Sequence, residues 1–298
     1  MTKDKKATFK GVGTALITPF LNGEIDYGAL DRLIEEQILA GVSALIVGGT
    51  TGEAATLTQS ERYALYEHSV EQIGGRCSIV LGTGTNDTKM AIEHTKFAAS
   101  VGASAALVVT PYYNKGTEEG VYLHYMRIAE TSDIPIILYN VPTRTGVNLG
   151  LHLLEKLADH PNISGLKEAS DSVDRLVALA QLRDTLPLYA GNDSQIYPVL
   201  SLGGVGAISV ASNIYPKAVG AIFDAYIRGR TAQALDIQIK LLPLIRALFL
   251  ETNPAPLKYA MSKLGKSSGE LRLPLFDVRE STKAQLDEAI ANANNICN

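Results

Sequence analysis

The sequence predicts a (β/α)8 barrel followed by a C-terminal helical extension. Eight short apolar runs bounded by Gly, Pro, Asn or Thr alternate with amphipathic stretches, the pattern of buried parallel strands joined by crossover helices. Polar residues mark the C-terminal ends of many of these runs. An open doubly wound sheet would gather them at one switch point, whereas a closed barrel collects every strand end on one face. After the eighth run only helical periodicity remains.

The runs occupy residues 12–17, 44–47, 78–81, 105–109, 134–139, 163–167, 187–190 and 205–210. Breakers follow several of them directly: Gly48-Gly49 after the second, Gly82 after the third, Thr110-Pro111 after the fourth, Asn140 after the fifth and Gly191 after the seventh. Crossover helices are expected over 27–40, 59–73, 88–100, 117–131, 149–159 and 173–182. Thr58 and Glu61 have the spacing of a capping box at the start of the second. Helical segments then follow at 215–228, 231–251, 256–263 and 282–292. Gly229-Arg230 is the hinge candidate, dividing the chain into a barrel carrying the active site over 1–230 and an extension over 231–298.

Composition narrows the function. With 298 residues, 46% of them hydrophobic and 19% charged, the chain has enough apolar surface for a sizeable core. A net charge of -4 without a basic stripe argues against a nucleic-acid surface, which needs clustered Lys and Arg. No run approaches the roughly 18 apolar residues of a membrane span, and the basic N-terminal stretch lacks an apolar successor. Cys77 and Cys297 show no CxxC spacing, so a reducing, cytoplasmic setting is expected.

Chemistry is sought at the strand ends. Gly48-Gly49-Thr50-Thr51-Gly52-Glu53 offers backbone N–H groups and two hydroxyls to an anion, although a β–α turn with Thr caps has the same look. Lys167 stands where an apolar strand opens into the barrel mouth. An amine among apolar walls is more readily neutral, and a neutral amine attacks carbonyls to give an imine that serves as an electron sink. The plainer alternative is a snorkelling lysine or an ion pair with Glu168. Lys156, Lys240 and Lys258 fall in amphipathic helical patterns and read as surface residues. The fifth run supplies Tyr139, a proton shuttle beside such an imine, and Arg144, a bidentate clamp for a carboxylate. Tyr112 and Tyr113 at the fourth strand end read first as a packing or subunit contact. His68, His94, His124, His152 and His160 lie in helical patterns or just past one, away from the strand ends. Neither a metal centre nor a cofactor is therefore expected.

Together, residues 48–53, Tyr139-Asn140-Val141-Pro142-Thr143-Arg144-Thr145-Gly146 and Gly165-Leu166-Lys167-Glu168-Ala169-Ser170 resemble the signatures of the pyruvate-dependent Schiff-base lyase family. That family includes dihydrodipicolinate synthase and N-acetylneuraminate lyase. The resemblance spans almost the whole chain, and Arg144 favours the synthases over the sugar-acid lyases. It implies that Lys167 forms an imine with pyruvate, that the Thr50–Thr51 loop holds the pyruvate carboxylate, and that the enamine attacks aspartate 4-semialdehyde to give 4-hydroxy-tetrahydrodipicolinate. A sister aldolase acting on a sugar acid or hydroxy-oxo acid is the alternative. Tyr139, Thr50 and Tyr113 match a proton relay, with Tyr113 reaching across a tight dimer. Arg144 matches the residue that engages the second substrate, and Gly191 and Ile208 match main-chain contacts around the imine. A homotetramer, as a dimer of dimers, is implied. The family's lysine-regulated members bind lysine in a dimer-interface cleft matching Ala55, Gln59, Arg62, Gly84, Asn86, Met90 and Tyr112. Met90 replaces the acid that would meet the ligand's ammonium, so little inhibition by lysine is expected.

Overall fold

The computed structural model describes residues 6–297, with side chains as far as residue 293. The basic residues 1–5 and the Cys297 side chain lie outside the described residues. Eight parallel strands form a closed barrel: β1 Gly11–Ala15, β2 Ala44–Val47, β3 Ser78–Gly82, β4 Ala105–Val109, β5 Ile136–Asn140, β6 Ile163–Glu168, β7 Leu188–Ala190 and β8 Gly206–Ser209. Consecutive strands are neighbours, and β8 closes on β1.

The runs are apolar throughout because both faces are buried. In β2, Ala44 and Ile46 join an interior cluster with Val80, Leu107, Ile137 and Ile208, while Leu45 and Val47 join the layer beneath the helices. Phe9 extends the interior cluster before β1, its ring 4.6 Å from that of Tyr189, whose hydroxyl donates to the Phe9 carbonyl at 2.8 Å. The seam between β1 and β8 is tight. A Cβ on Gly206 would stand 1.9 Å from the Gly11 carbonyl oxygen, so only glycine fits. Asn213 bolts the same seam, accepting from the Ile17 N–H at 3.2 Å and donating to the Ala15 carbonyl at 2.8 Å.

The crossover helices follow the periodicity: α1 Tyr27–Leu39, α2 Gln59–Ile73, α3 Thr88–Ser100, α4 Glu118–Glu130, then α5 Pro142–Thr145, α6 Leu151–Ala158, α7 Val173–Leu179, α8 Ile196–Ser201 and α9 Pro216–Ile227. The capping box forms: the Thr58 hydroxyl accepts from the Glu61 N–H, and the Glu61 carboxylate accepts from the Thr58 N–H. Three elements go beyond the periodicity. They are α5, α8 and a small hairpin pairing Phe20–Leu21 with Glu24–Ile25. α10 Thr231–Ala247 packs on α9, and α12 Glu280–Cys297 packs on α10 and on α11 Ala255–Lys263. The segments flanking α11 return to the strand ends, where Asn253 meets Thr51 and Arg272 meets Glu53. No helix among the described residues is long and apolar enough to cross a membrane.

Candidate active site

The loop after β2 is shaped by close packing. Gly48 has φ +67, and a Cβ there would lie 2.7 Å from the Tyr66 ring; one on Gly82 would lie 2.3 Å from the Gly48 carbonyl oxygen. Tyr66 and Arg62, both on α2, donate to the Gly82 carbonyl at 2.5 and 3.2 Å, and Arg62 also reaches the Ala54 carbonyl at 2.7 Å. This holds the loop over the barrel mouth. Thr51 is buried, and its hydroxyl accepts from the Asn253 side-chain amide at 3.0 Å; Thr50 is half-buried beside it.

Lys167 sits one residue from the end of β6 and is 6% exposed. It is in register with Tyr139 on β5, and its Nζ lies 4.1 Å from the centroid of that ring. The ion pair with Glu168 does not form. Adjacent strand residues point to opposite faces, and the fully buried Glu168 carboxylate is occupied by Asn140 at 2.8 and 3.1 Å, by Arg175 at 3.0 Å and by the Ser170 N–H at 3.0 Å. Its role is to fix the end of β6 from outside the barrel.

Lys167 borders a cavity of about 670 Å³ together with Thr50, Thr51, Tyr139, Arg144 and Gly191. A smaller cavity of about 350 Å³ continues past Thr50, Tyr139 and Arg144 to Tyr112. Arg144, on α5, is exposed and donates to the Asn253 carbonyl at 2.8 Å. Gly191 follows β7 with its N–H on the Glu168 carbonyl at 2.7 Å. Two assigned residues lie apart from the cavity lining. Ile208 is packed inside the barrel on β8, and Tyr113 projects into solvent, 89% exposed with φ +69, bordering neither cavity.

Sequence reasoning gave no site role to three contributors. Asp193 is buried beside the larger cavity, its carboxylate accepting from the Val210 and Ala211 N–H groups at 2.9 and 3.1 Å; burial pushes it up, against the pull of hydrogen bonds and the Lys167 charge. Asn253 connects to both Thr51 and Arg144. Lys258 is not a surface residue: it is 1% exposed and ion-paired with the buried carboxylate of Glu53. Burial draws its amine below the ordinary value, against the opposing charge of Glu53. Amphipathic periodicity concealed this, because the polar face of α11 is covered when the extension folds back. The signals available were an acid at the end of the seventh run and a polar turn, Asn253-Pro254, between helical segments.

The helical histidines have local roles. His68 bonds Asp31 at 2.6 Å, the His94 ring meets the Tyr63 hydroxyl at 3.3 Å, and His124 bonds the Thr88 hydroxyl at 2.9 Å. Among the described residues, no group of three His, Cys, Asp or Glu side chains is arranged to hold a metal ion.

The dihydrodipicolinate synthetase family model matches residues 8–293. A 4-hydroxy-tetrahydrodipicolinate synthase of Clostridium novyi is 46% identical over 287 residues, covering 96% of this chain and 97% of its own. Among solved structures, the dihydrodipicolinate synthase of Acinetobacter baumannii complexed with pyruvate is 40% identical, with a TM-score of 0.93 over 96% of this chain and 99% of that one. The enzyme of Cyanidioschyzon merolae with lysine bound is also 40% identical, with a TM-score of 0.93 over 97% and 99% of the two chains. Sequence, fold and extent of match agree, and the chain belongs to the dihydrodipicolinate synthetase family.

Proposed function

We propose that Lys167 is the nucleophile of a class I condensation of pyruvate with aspartate 4-semialdehyde. The neutral amine adds to the pyruvate carbonyl carbon and water leaves, giving an imine. Loss of a methyl proton gives the enamine, whose carbon attacks the aldehyde. The amine of the second substrate then closes the ring on the imine carbon, frees Lys167 and yields 4-hydroxy-tetrahydrodipicolinate. Thr50 and Thr51 bind the pyruvate carboxylate, Tyr139 and Thr50 pass protons, and Arg144 receives the carboxylate of the aldehyde. Gly191 and Ile208 supply main-chain contacts around the imine.

The observation that carries this reading is a lysine among the walls of a barrel-mouth cavity, 4.1 Å from a tyrosine ring and bordered by two threonines. The synthase reading stands ahead of the sugar-acid alternative, since relatives at 42–46% identity over nearly the whole chain are 4-hydroxy-tetrahydrodipicolinate synthases. Tyr113, exposed and outside both cavities, is assigned to the site of a neighbouring subunit in a homotetramer built as a dimer of dimers. A cytoplasmic location and the division at residue 230 are proposed with it. Borohydride added with pyruvate tests the chemistry, because it reduces the enzyme-bound imine to a stable secondary amine and locks the adduct in place. Peptide mapping is expected to find the added mass on Lys167 with activity lost; an adduct on another lysine would refute the assignment.

A further inference from the structure

We infer that the buried Glu53–Lys258 pair, with Arg272, is a clamp from the C-terminal extension that positions Thr50 and Thr51 for pyruvate. The inference rests on the reading of that loop given above. Glu53 ends the glycine-rich turn with φ +51, a left-handed conformation uncommon for a residue bearing a Cβ. Its side chain fixes it there. One carboxylate oxygen pairs with the Lys258 ammonium and the other accepts the Arg272 backbone N–H at 3.1 Å. Lys258 also donates to the Glu270 carbonyl at 2.8 Å, so the pair ties α11 and the irregular segment after it to one point of the loop. The Arg272 guanidinium takes a second point, donating to the Thr56 carbonyl at 3.2 Å while both Glu61 oxygens hold it at 2.5 and 3.0 Å. Asn253 makes the third, on Thr51 itself.

Stability alone explains this poorly, since the desolvation of a buried pair offsets most of its Coulomb attraction. Geometry explains it better. The loop borders a cavity in which a substrate carboxylate must be met at hydrogen-bond length, and a small misplacement there costs far more in turnover than in folding. Glu53 is accordingly a positioning residue: it acts through Thr50 and Thr51, not on substrate.

Steady-state kinetics and thermal unfolding of Glu53→Gln, of the charge-neutral double variant Glu53→Gln/Lys258→Met and of Arg272→Lys test this. Glu53→Gln is expected to raise the pyruvate KM about tenfold while the aldehyde KM stays within about twofold. The double variant regains the thermal midpoint but not the pyruvate KM. An unchanged pyruvate KM, a parallel rise in both KM values, or recovery of the pyruvate KM in step with the midpoint overturns the clamp. If Glu53→Gln does not fold, Arg272→Lys decides by the same selective rise or its absence. Wild-type enzyme carried through borohydride trapping separates the two readings: a normal adduct with unchanged variant KM values removes the clamp alone, and no wild-type adduct removes both.

Discussion

Arg144 spends one guanidinium nitrogen on the Asn253 carbonyl and borders both cavities with the remainder. Its proposed carboxylate partner belongs to the aldehyde, so Arg144→Ala is expected to lower kcat/KM for aspartate 4-semialdehyde roughly ten- to a hundredfold, the loss of about 1.5–3 kcal/mol from a charge-assisted contact. The pyruvate KM should change little, and unchanged kinetics with the aldehyde would reject the role. At this scale legibility followed cost. Lys167 was readable because an amine at the end of an apolar strand is expensive without a use, whereas Lys258 hid in a helix whose polar face looked solvated. Asn253 showed only as a polar turn, and its role stayed hidden for another reason: its partners Thr51 and Arg144 are distant in sequence, and only the fold brings the three together.

Strand and helix positions were legible because unbroken apolar runs and period-3.6 amphipathic stretches are written directly into the chain, and the capping box at Thr58 marked its helix to the residue. The hairpin at Phe20–Leu21 was overlooked although Asn22-Gly23, with φ 55 and 85, is a strong turn signal; its strands are too short to show alternation. The way α2 and α3 frame the region matching the lysine cleft bears on regulation. Arg62 is not a free charge, since it holds the Ala54 and Gly82 carbonyls, yet its guanidinium still borders the smaller cavity. Met90 brings no acid, and Asp87, the nearby carboxylate, is engaged as the cap of α3 through the Lys89 N–H at 2.9 Å. A ligand bearing two ammonium groups therefore lacks a counter-charge. A lysine titration of the steady-state rate is expected to show no half-inhibition below about 1 mM.

The acid response of the whole molecule follows from buried or hydrogen-bonded groups on α2, α3 and α4. Burial holds His94 and His124 down at about 4 against an ordinary 6.5, so between those values the unfolded chain binds protons that the folded one refuses, and stability falls as pH drops. Glu61 adds a lower window. The Arg272 hydrogen bond first, and Thr58 after it, hold it at about 2 against 4.5, so its contribution is complete above 4.5 and is lost towards 2. Urea unfolding across this range is expected to show both declines, with His124→Gln flattening the upper one; constant stability between 6.5 and 4 would contradict it. The glycine seam between β1 and β8 has a different kind of consequence. It joins residues 11 and 206, so the first strand to leave the ribosome waits for nearly the last part of the barrel before its second edge is paired. Until then the nascent chain displays an open strand edge at each end of an incomplete sheet, the arrangement most prone to pairing with another copy.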